Sequence, residues 1–164
     1  MFIIGRNAKR PEDESELIEG ALDQMWNRGS EEKEFRFPTF IAIGPEENLY
    51  IVDTLNFRVQ IFSADGEFIS AFGEAGNMPG NFFRPKGIGL DSEGHIYVSD
   101  ASFCNVQIFD QQGRLLLNFG TFGSGLSDLR LPAGLYVNQQ DQIYVVDQFN
   151  NRVQIYQYLG EKPR

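Results

Sequence analysis

Tyr50–Phe62 reads YIVDTLNFRVQIF, Tyr97–Phe109 reads YVSDASFCNVQIF and Tyr144–Tyr156 reads YVVDQFNNRVQIY. One segment is written three times at a step of 47 residues. The same step links Pro38, Pro85 and Pro132, the aspartates Asp53, Asp100 and Asp147, the glutamines Gln60, Gln107 and Gln154, and Phe72-Gly73 with Phe119-Gly120. A fixed period of this length is the signature of a repeat architecture.

Each period resolves into four short strands separated by turn residues. In the middle copy these are GIGL (87–90), HIYVSD (95–100), VQIFD (106–110) and RLLLNFG (114–120), with DSEG and QQG as turns. Aromatic and β-branched residues dominate, as a pleated surface favours. Tyr97, Val98, Val106, Ile108 and Phe109 make both sheet faces apolar, so each small sheet needs a neighbour on either side. Four antiparallel strands covered on both faces and repeated at this period predict an all-β protein built from propeller blades. An open sandwich of the same hairpins explains the alternation but not the constant period.

The run PKGIGLDSEGHIYVSD followed by NVQIFDQQGRLLLNFG resembles the NHL repeat, the blade unit of a family of mostly six-bladed propellers. The resemblance extends over residues 38–160 and the first five residues. Copy two departs from it: Phe103 and Asn105 stand where the other copies have Asn56/Asn150 and Arg58/Arg152. The polar contacts made by those side chains are expected to be missing or replaced there.

The ends suggest an assembly. After Gly160 the chain reads EKPR instead of a fourth strand, while MFIIG (1–5) looks like a blade's outer strand. The expected organisation is therefore an outer strand at 1–5, an inserted segment at 6–34, and blades at 35–81, 82–128 and 129–164, the last lacking its own outer strand. Three blades leave two apolar faces bare, and propellers have about 4 to 8. Two chains joined as a homodimer, each lending its N-terminal strand to the other, would close a six-bladed ring. The rival reading is a fragment of a longer propeller.

The spacing from blade glycine to the next proline is 12 residues twice, but 33 from Gly5 to Pro38. The inserted segment holds five Lys/Arg and nine Asp/Glu. Within it Leu17, Ile18, Ala21, Leu22, Met25 and Trp26 recur at helical spacing before Gly29, which predicts a short amphipathic helix. It is either a lid on the ring or a docking helix presenting Met25 and Trp26. It should share a face with the hairpin tips, so the candidate binding face comprises Met25, Trp26, Phe57, Phe103, Phe149, Asn150 and Asn151, with Leu55, Asn56 and Cys104 nearby. Aromatic residues of this kind are enriched at interface cores.

The residues give catalysis little support. His95 is the single histidine, beside a turn where a surface role is expected. The NHL-like propellers that are lyases hold a metal with several histidines, and related calcium-dependent hydrolases use inward carboxylates; this sequence lacks those histidines. Asp53, Asp100 and Asp147 are expected to cap turns and pair with arginine rather than ring a metal. The first strands should line the channel, offering Asp91, Tyr136 and Asn138 and little else polar. Cys104, the single cysteine, excludes an intramolecular disulfide. No catalytic residue, metal ligand or cofactor is assigned.

A net charge of −9 argues against nucleic acid as partner. No apolar run is long enough to span a membrane, and MFIIG is too short for a signal-peptide core. A complete chain would accordingly be cytoplasmic. The function expected is a non-catalytic propeller that binds a protein or peptide; the alternative is a metal-dependent propeller lyase or lactone hydrolase.

Overall fold

The computed structural model describes residues 31–158. Met1–Gly5, the helix expected around Leu17–Trp26, Met25 and Trp26 themselves, and the segment from Leu159 onward lie outside the described residues. Eleven strands form three antiparallel sheets. The first contains β1 (Pro38–Ile43), β2 (Leu49–Asp53), β3 (Arg58–Phe62) and β4 (Phe68–Phe72). The second contains β5 (Pro85–Leu90), β6 (Ile96–Asp100), β7 (Asn105–Phe109) and β8 (Leu115–Phe119). The third has three described strands, β9 (Pro132–Val137), β10 (Gln142–Asp147) and β11 (Arg152–Gln157). Neighbours in sequence are neighbours in each sheet, so every repeat is an up-and-down meander. Among the described residues there is no α-helix, and none long and apolar enough to cross a membrane.

The sheets stack face to face, as their two-sided apolar pattern requires. Tyr50, Val52, Val59 and Ile61 of the first pack against Ile88, Ile96, Val98 and Phe109 of the second. Tyr97, Val106 and Ile108 of the second pack against Leu135, Ile143 and Val145 of the third. Hydroxyls stitch the same seams: Thr54 Oγ1 donates to Pro85 O (2.8 Å) and Ser99 Oγ to Ala133 O (3.1 Å). At the turn end, Ser92 donates through N and Oγ to the Asp141 carboxylate (2.8 and 2.7 Å).

The inner strands converge closely. A Cβ on Gly87 would lie 2.5 Å from Leu135 N and 2.7 Å from Ala133 O, so that seam admits only glycine at this position. Its repeat-equivalent in the third sheet, Gly134, would meet nothing nearer than 3.5 Å. Among the described residues, the outward faces of sheets one and three are open in the same way. Ile61 and Ile108 are each 4% exposed, whereas their equivalent Ile155 is 59% exposed. Val146 and Val153 are likewise exposed on sheet three, and Ile41 and Ile43 on sheet one, although their counterparts are covered.

Candidate functional site

The hairpin tips and the linkers between blades meet on one face. Leu55 N donates to Arg36 O, Ala101 N to Arg84 O and Phe149 N to Arg130 O, each at 2.9–3.0 Å. In the first and third blades a buried aspartate organises this junction. Asp147 accepts from Arg130 N (2.6 Å), Asn150 Nδ2 (2.8 Å), Arg152 Nε (2.8 Å) and Gln154 Nε2 (3.1 Å). Burial works against its charge, but the hydrogen bonds from Asn150, Arg130, Arg152 and Gln154 outweigh it and hold the carboxyl below the usual range. Asp53 repeats the pattern with Arg36 N, Asn56, Arg58 and Gln60. The expected pairing of these aspartates with arginine is present, at 3.0 Å for Arg58 and 2.8 Å for Arg152.

The arginines then reach past the aspartate to the linker. Arg58 Nη2 donates to the carbonyls of Glu31 (2.8 Å) and Glu34 (2.9 Å). Arg152 donates to those of Ser124, Gly125 and Asp128. The periodic glutamines complete the clamp: Gln60, Gln107 and Gln154 donate through Nε2 to Glu34 O, Asn81 O and Asp128 O. Sequence reasoning noted that these glutamines recur but gave them no role. Their strict period beside the aspartate was the available signal.

The middle blade is built differently. Asp100 is fully buried and accepts four backbone N–H groups, from Phe83 (2.8 Å), Arg84 (2.9 Å), Ser102 (2.9 Å) and Phe103 (3.0 Å). Among the described residues it has no ion pair. Asn105 is too short to reach the linker carbonyls that Arg58 and Arg152 hold in the other blades. An open cleft of about 370 Å³ lies there, lined by Met78, Phe103, Asn105, Gln107, Asn118 and Phe122 among others. Asn105 Oδ1 is buried and has no hydrogen-bond partner among the described residues. Buried acceptors of this kind are rare in folded proteins and call for an explanation.

The residues expected on a binding face are arranged less uniformly than their spacing suggested. Phe57, Phe103 and Phe149 occupy three different positions of the tip, because their equivalents are Cys104/Asn151, Asn56/Asn150 and Leu55/Ser102. Phe57 sits in the left-handed region (φ 57°) and packs on the first core; Phe103 is half-buried with its ring 6.3 Å from Phe83; Phe149 is exposed. Asn151 shares the left-handed position (φ 53°), which suits asparagine better than phenylalanine. Asn150 is engaged with Asp147 and with Gly123 O. Cys104 is buried, with Sγ 3.6 Å from Ala101 O. Sequence reasoning missed the exposed linker residues Phe37, Met78, Phe83, Phe122 and Leu126, which make this face more apolar than the tips alone.

The expected channel residues hold other places. Asp91 is buried and folded into its own turn, where it accepts from Glu93 N, His95 N and Tyr97 Oη (2.8 Å), and lies 2.9 Å from His95 Nδ1. Burial first, and then this bond to Asp91, push the Tyr97 phenol well above its ordinary pKa. His95 is thus a tethered turn residue and not a free surface group; its ring meets Tyr158 edge-on at 5.3 Å. Asn138 does the same work in the third blade, accepting from Gln140 N and Gln142 N. A short polar side chain following the first strand satisfies the turn's amides before it can face a channel. Tyr136 is exposed on the open face of sheet three, its ring 6.1 Å from that of Tyr144.

Comparison with known proteins agrees with this architecture. Residues 42–102 match a family model described as a 6-bladed β-propeller, and residues 129–156 match the NHL repeat. No curated protein matches the sequence. Among solved structures, virginiamycin B lyase from Staphylococcus aureus aligns with a TM-score of 0.52 at 15% identity, over 76% of this chain and 42% of that one. The calcium-binding protein regucalcin from Agrobacterium tumefaciens aligns with a TM-score of 0.52 at 20% identity, over 68% and 38% of the respective chains. Hydrazine synthase from Kuenenia stuttgartiensis gives 0.51 at 16% identity, over 77% and 37%. The chain therefore spans about two fifths of the length of these neighbours, and at such identities the likeness is one of fold. The repeats, the blades and the two family matches together support an NHL-repeat β-propeller family for this chain.

Proposed function

We propose that the chain is a protein- or peptide-binding propeller scaffold whose recognition site is the linker face, centred on the cleft over the middle blade. The cleft is the observation that carries this reading. Its lining joins apolar side chains, Met78, Phe103 and Phe122, to polar ones, Asn77, Asn105, Gln107 and Asn118, a mixture usual for a recognition pocket. Met and Phe are also enriched at interface cores.

A metal-dependent lyase or hydrolase is the alternative class, and the names of two structural neighbours keep it in view. Against it, the carboxylates of Asp53, Asp91, Asp100 and Asp147 are occupied by turn, linker and side-chain donors. Among the described residues, no three His, Cys, Asp or Glu side chains are grouped so that they could hold an ion.

The scaffold also needs its open faces covered, and a second copy meets that need. In support of it, the matched family model is described as six-bladed, and apolar residues are exposed on the outward faces of sheets one and three. Ile155, Val153 and Val146 of one copy would meet Ile41 and Ile43 of the other. Tyr136 takes the position that Ala42 and Gly89 hold at the inner seams, so its ring has to turn along the seam toward the axis.

Selection of a displayed random-peptide library against the chain tests the binding role. Enriched peptides should compete with one another and lose binding on Met78→Asp and Phe122→Asp substitution. No enrichment, or peptides indifferent to both substitutions, would overturn the proposed site.

A further inference from the structure

The cleft has a shape that the other two blades define. The repeat-equivalents of Asn105 are Arg58 and Arg152, and the guanidinium of Arg152 donates to the carbonyls of Ser124 and Gly125. One period earlier these two residues are Asn77 and Met78, and both line the cleft. The middle blade thus keeps the carbonyl-bearing linker but supplies no guanidinium from its own strand. Three features of the vacancy favour a cation. Asn105 Oδ1 is buried and has no partner among the described residues; Asp100 behind the tip is a buried carboxylate with no ion pair among the described residues; and the aromatic side chains of Phe103 and Phe122 line the cleft. Phe122 already lies under the Arg130 guanidinium at 5.8 Å. Gln107 offers little to a ligand, since its Oε1 accepts from Gly80 N and its Nε2 donates to Asn81 O.

From this geometry we infer that the cleft is an arginine socket: it takes the guanidinium of an arginine side chain presented by a peptide partner, in the place that Arg58 and Arg152 fill from within the chain. The inference rests on the recognition role proposed above and names the ligand chemistry of that site. Linker carbonyls of the kind that Arg152 bonds suit the planar, five-donor guanidinium better than a compact ammonium, and aromatic lining residues add a stacking surface that lysine uses less well. Citrulline, with the same shape and no charge, separates the charge from the fit.

The experiment is a titration of the isotope-labelled chain with N-acetyl-arginine N-methylamide, and in parallel with its lysine and citrulline counterparts, followed by backbone and side-chain amide resonances. The arginine probe should shift the side-chain amides of Asn105 and Asn118 and the backbone amides of Met78 and Gly80. Binding should weaken about tenfold or more for citrulline and measurably for lysine. Asn105→Arg, which returns the guanidinium to the strand, should abolish the titration; circular dichroism and the melting temperature show whether that variant is folded. Asn105→Ala, which removes the unpartnered oxygen without adding bulk, should weaken the arginine probe severalfold. Equal responses to all three probes, shifts elsewhere on the surface, or undiminished binding by a folded Asn105→Arg chain would overturn the socket. Library-selected peptides that bind the cleft without arginine would sink the socket and leave the recognition role standing; the absence of any cleft-binding peptide would remove both.

Discussion

Ile61, Ile108 and Ile155 are one residue type in one repeat position, and truncating each to alanine tests both the packing and the proposed ring. Ile61 and Ile108 are each 4% exposed and packed between sheets. Their replacement should cost about 2–5 kcal/mol, the transfer loss plus the cavity left behind. Ile155 is 59% exposed in the single chain, so there its truncation should cost roughly 1 kcal/mol or less. A closed pair of chains changes that expectation. Each chain would bury its Ile155 against Ile41 and Ile43 of the other, at about 1–3 kcal/mol per seam. Two seams related by a twofold axis double the effect, which weakens the dimer roughly 30-fold to 10⁴-fold. The assay is urea unfolding and light scattering over about a hundredfold range of chain concentration, because a dimer's stability depends on concentration and a monomer's does not. The expected mass is twice 18.6 kDa, with Ile155→Ala shifting the midpoint in a concentration-dependent way. A mass of one chain throughout, with Ile155→Ala neutral, would refute ring closure by a second copy. Neutral Ile61→Ala and Ile108→Ala would refute the sheet packing itself.

Three further outcomes follow from the same geometry. Gly87→Ala should destabilise the chain by about 1–3 kcal/mol, because its Cβ would strike the backbone of Leu135 and Ala133; Gly134→Ala should be near neutral in a single chain and disruptive at a closed seam, both read from denaturant midpoints. The Asp147 carboxyl is held below its ordinary range, so the stability it contributes is complete above the unfolded value of about 3.9 and is lost as pH falls through the folded one. Unfolding midpoints measured against pH should therefore fall less steeply below pH ~4 in Asp147→Asn than in the parent chain, and an unchanged slope would contradict this account. Tyr97 has its phenol pushed up, so stability should be full below an unfolded pKa of about 10 and decline as pH rises beyond it; Tyr97→Phe should remove that alkaline decline, and a decline of equal size in the variant would assign it elsewhere.

The sequence carried the fold because hairpin periodicity is local information. Strand ends differ from expectation by one or two residues: Pro85 and Lys86 join the first strand of the middle blade, and His95 leaves the second. Tyr97, Val106 and Ile108 were among the residues whose two-sided apolar pattern called for a neighbouring sheet, and they lie packed against the third sheet. The site was less legible. The replacement of Arg58 and Arg152 by Asn105 could be read as a departure, but not as a cleft, because the partner of each arginine is a linker carbonyl some 24–28 residues earlier in the chain. Asp91 and Asn138 were placed on a channel because the first strands run along it; the one-residue difference between ending a strand and starting a turn sends their side chains into the turn instead. Phe57, Phe103 and Phe149 looked like one feature because each falls in a tip. Offset by one residue from blade to blade, they take three backbone positions and three exposures.

The middle blade shows how a repeat can give up a clamp without giving up its fold. In the outer blades the buried aspartate is paired with an arginine, and removing Arg152 would leave the fully buried Asp147 carboxylate without its ion pair, a change that usually costs several kcal/mol. Asp100 avoids that penalty through backbone donors: Phe83 N and Arg84 N from the linker and Ser102 N and Phe103 N from the tip occupy both oxygens. Gln107 still bonds the linker at Gly80 N and Asn81 O. Among the described residues, blade two therefore holds its linker through the Asp100 carboxylate, the Gln107 amide and main-chain bonds, with no guanidinium, which frees the arginine position. The freed position then leaves the buried oxygen of Asn105 without a partner among the described residues, as Arg36 Nε and Tyr156 Oη are in the other blades. A buried acceptor with no partner among the described residues, on a side chain that lines an open cleft, is the physical ground for seeking its donor on another molecule.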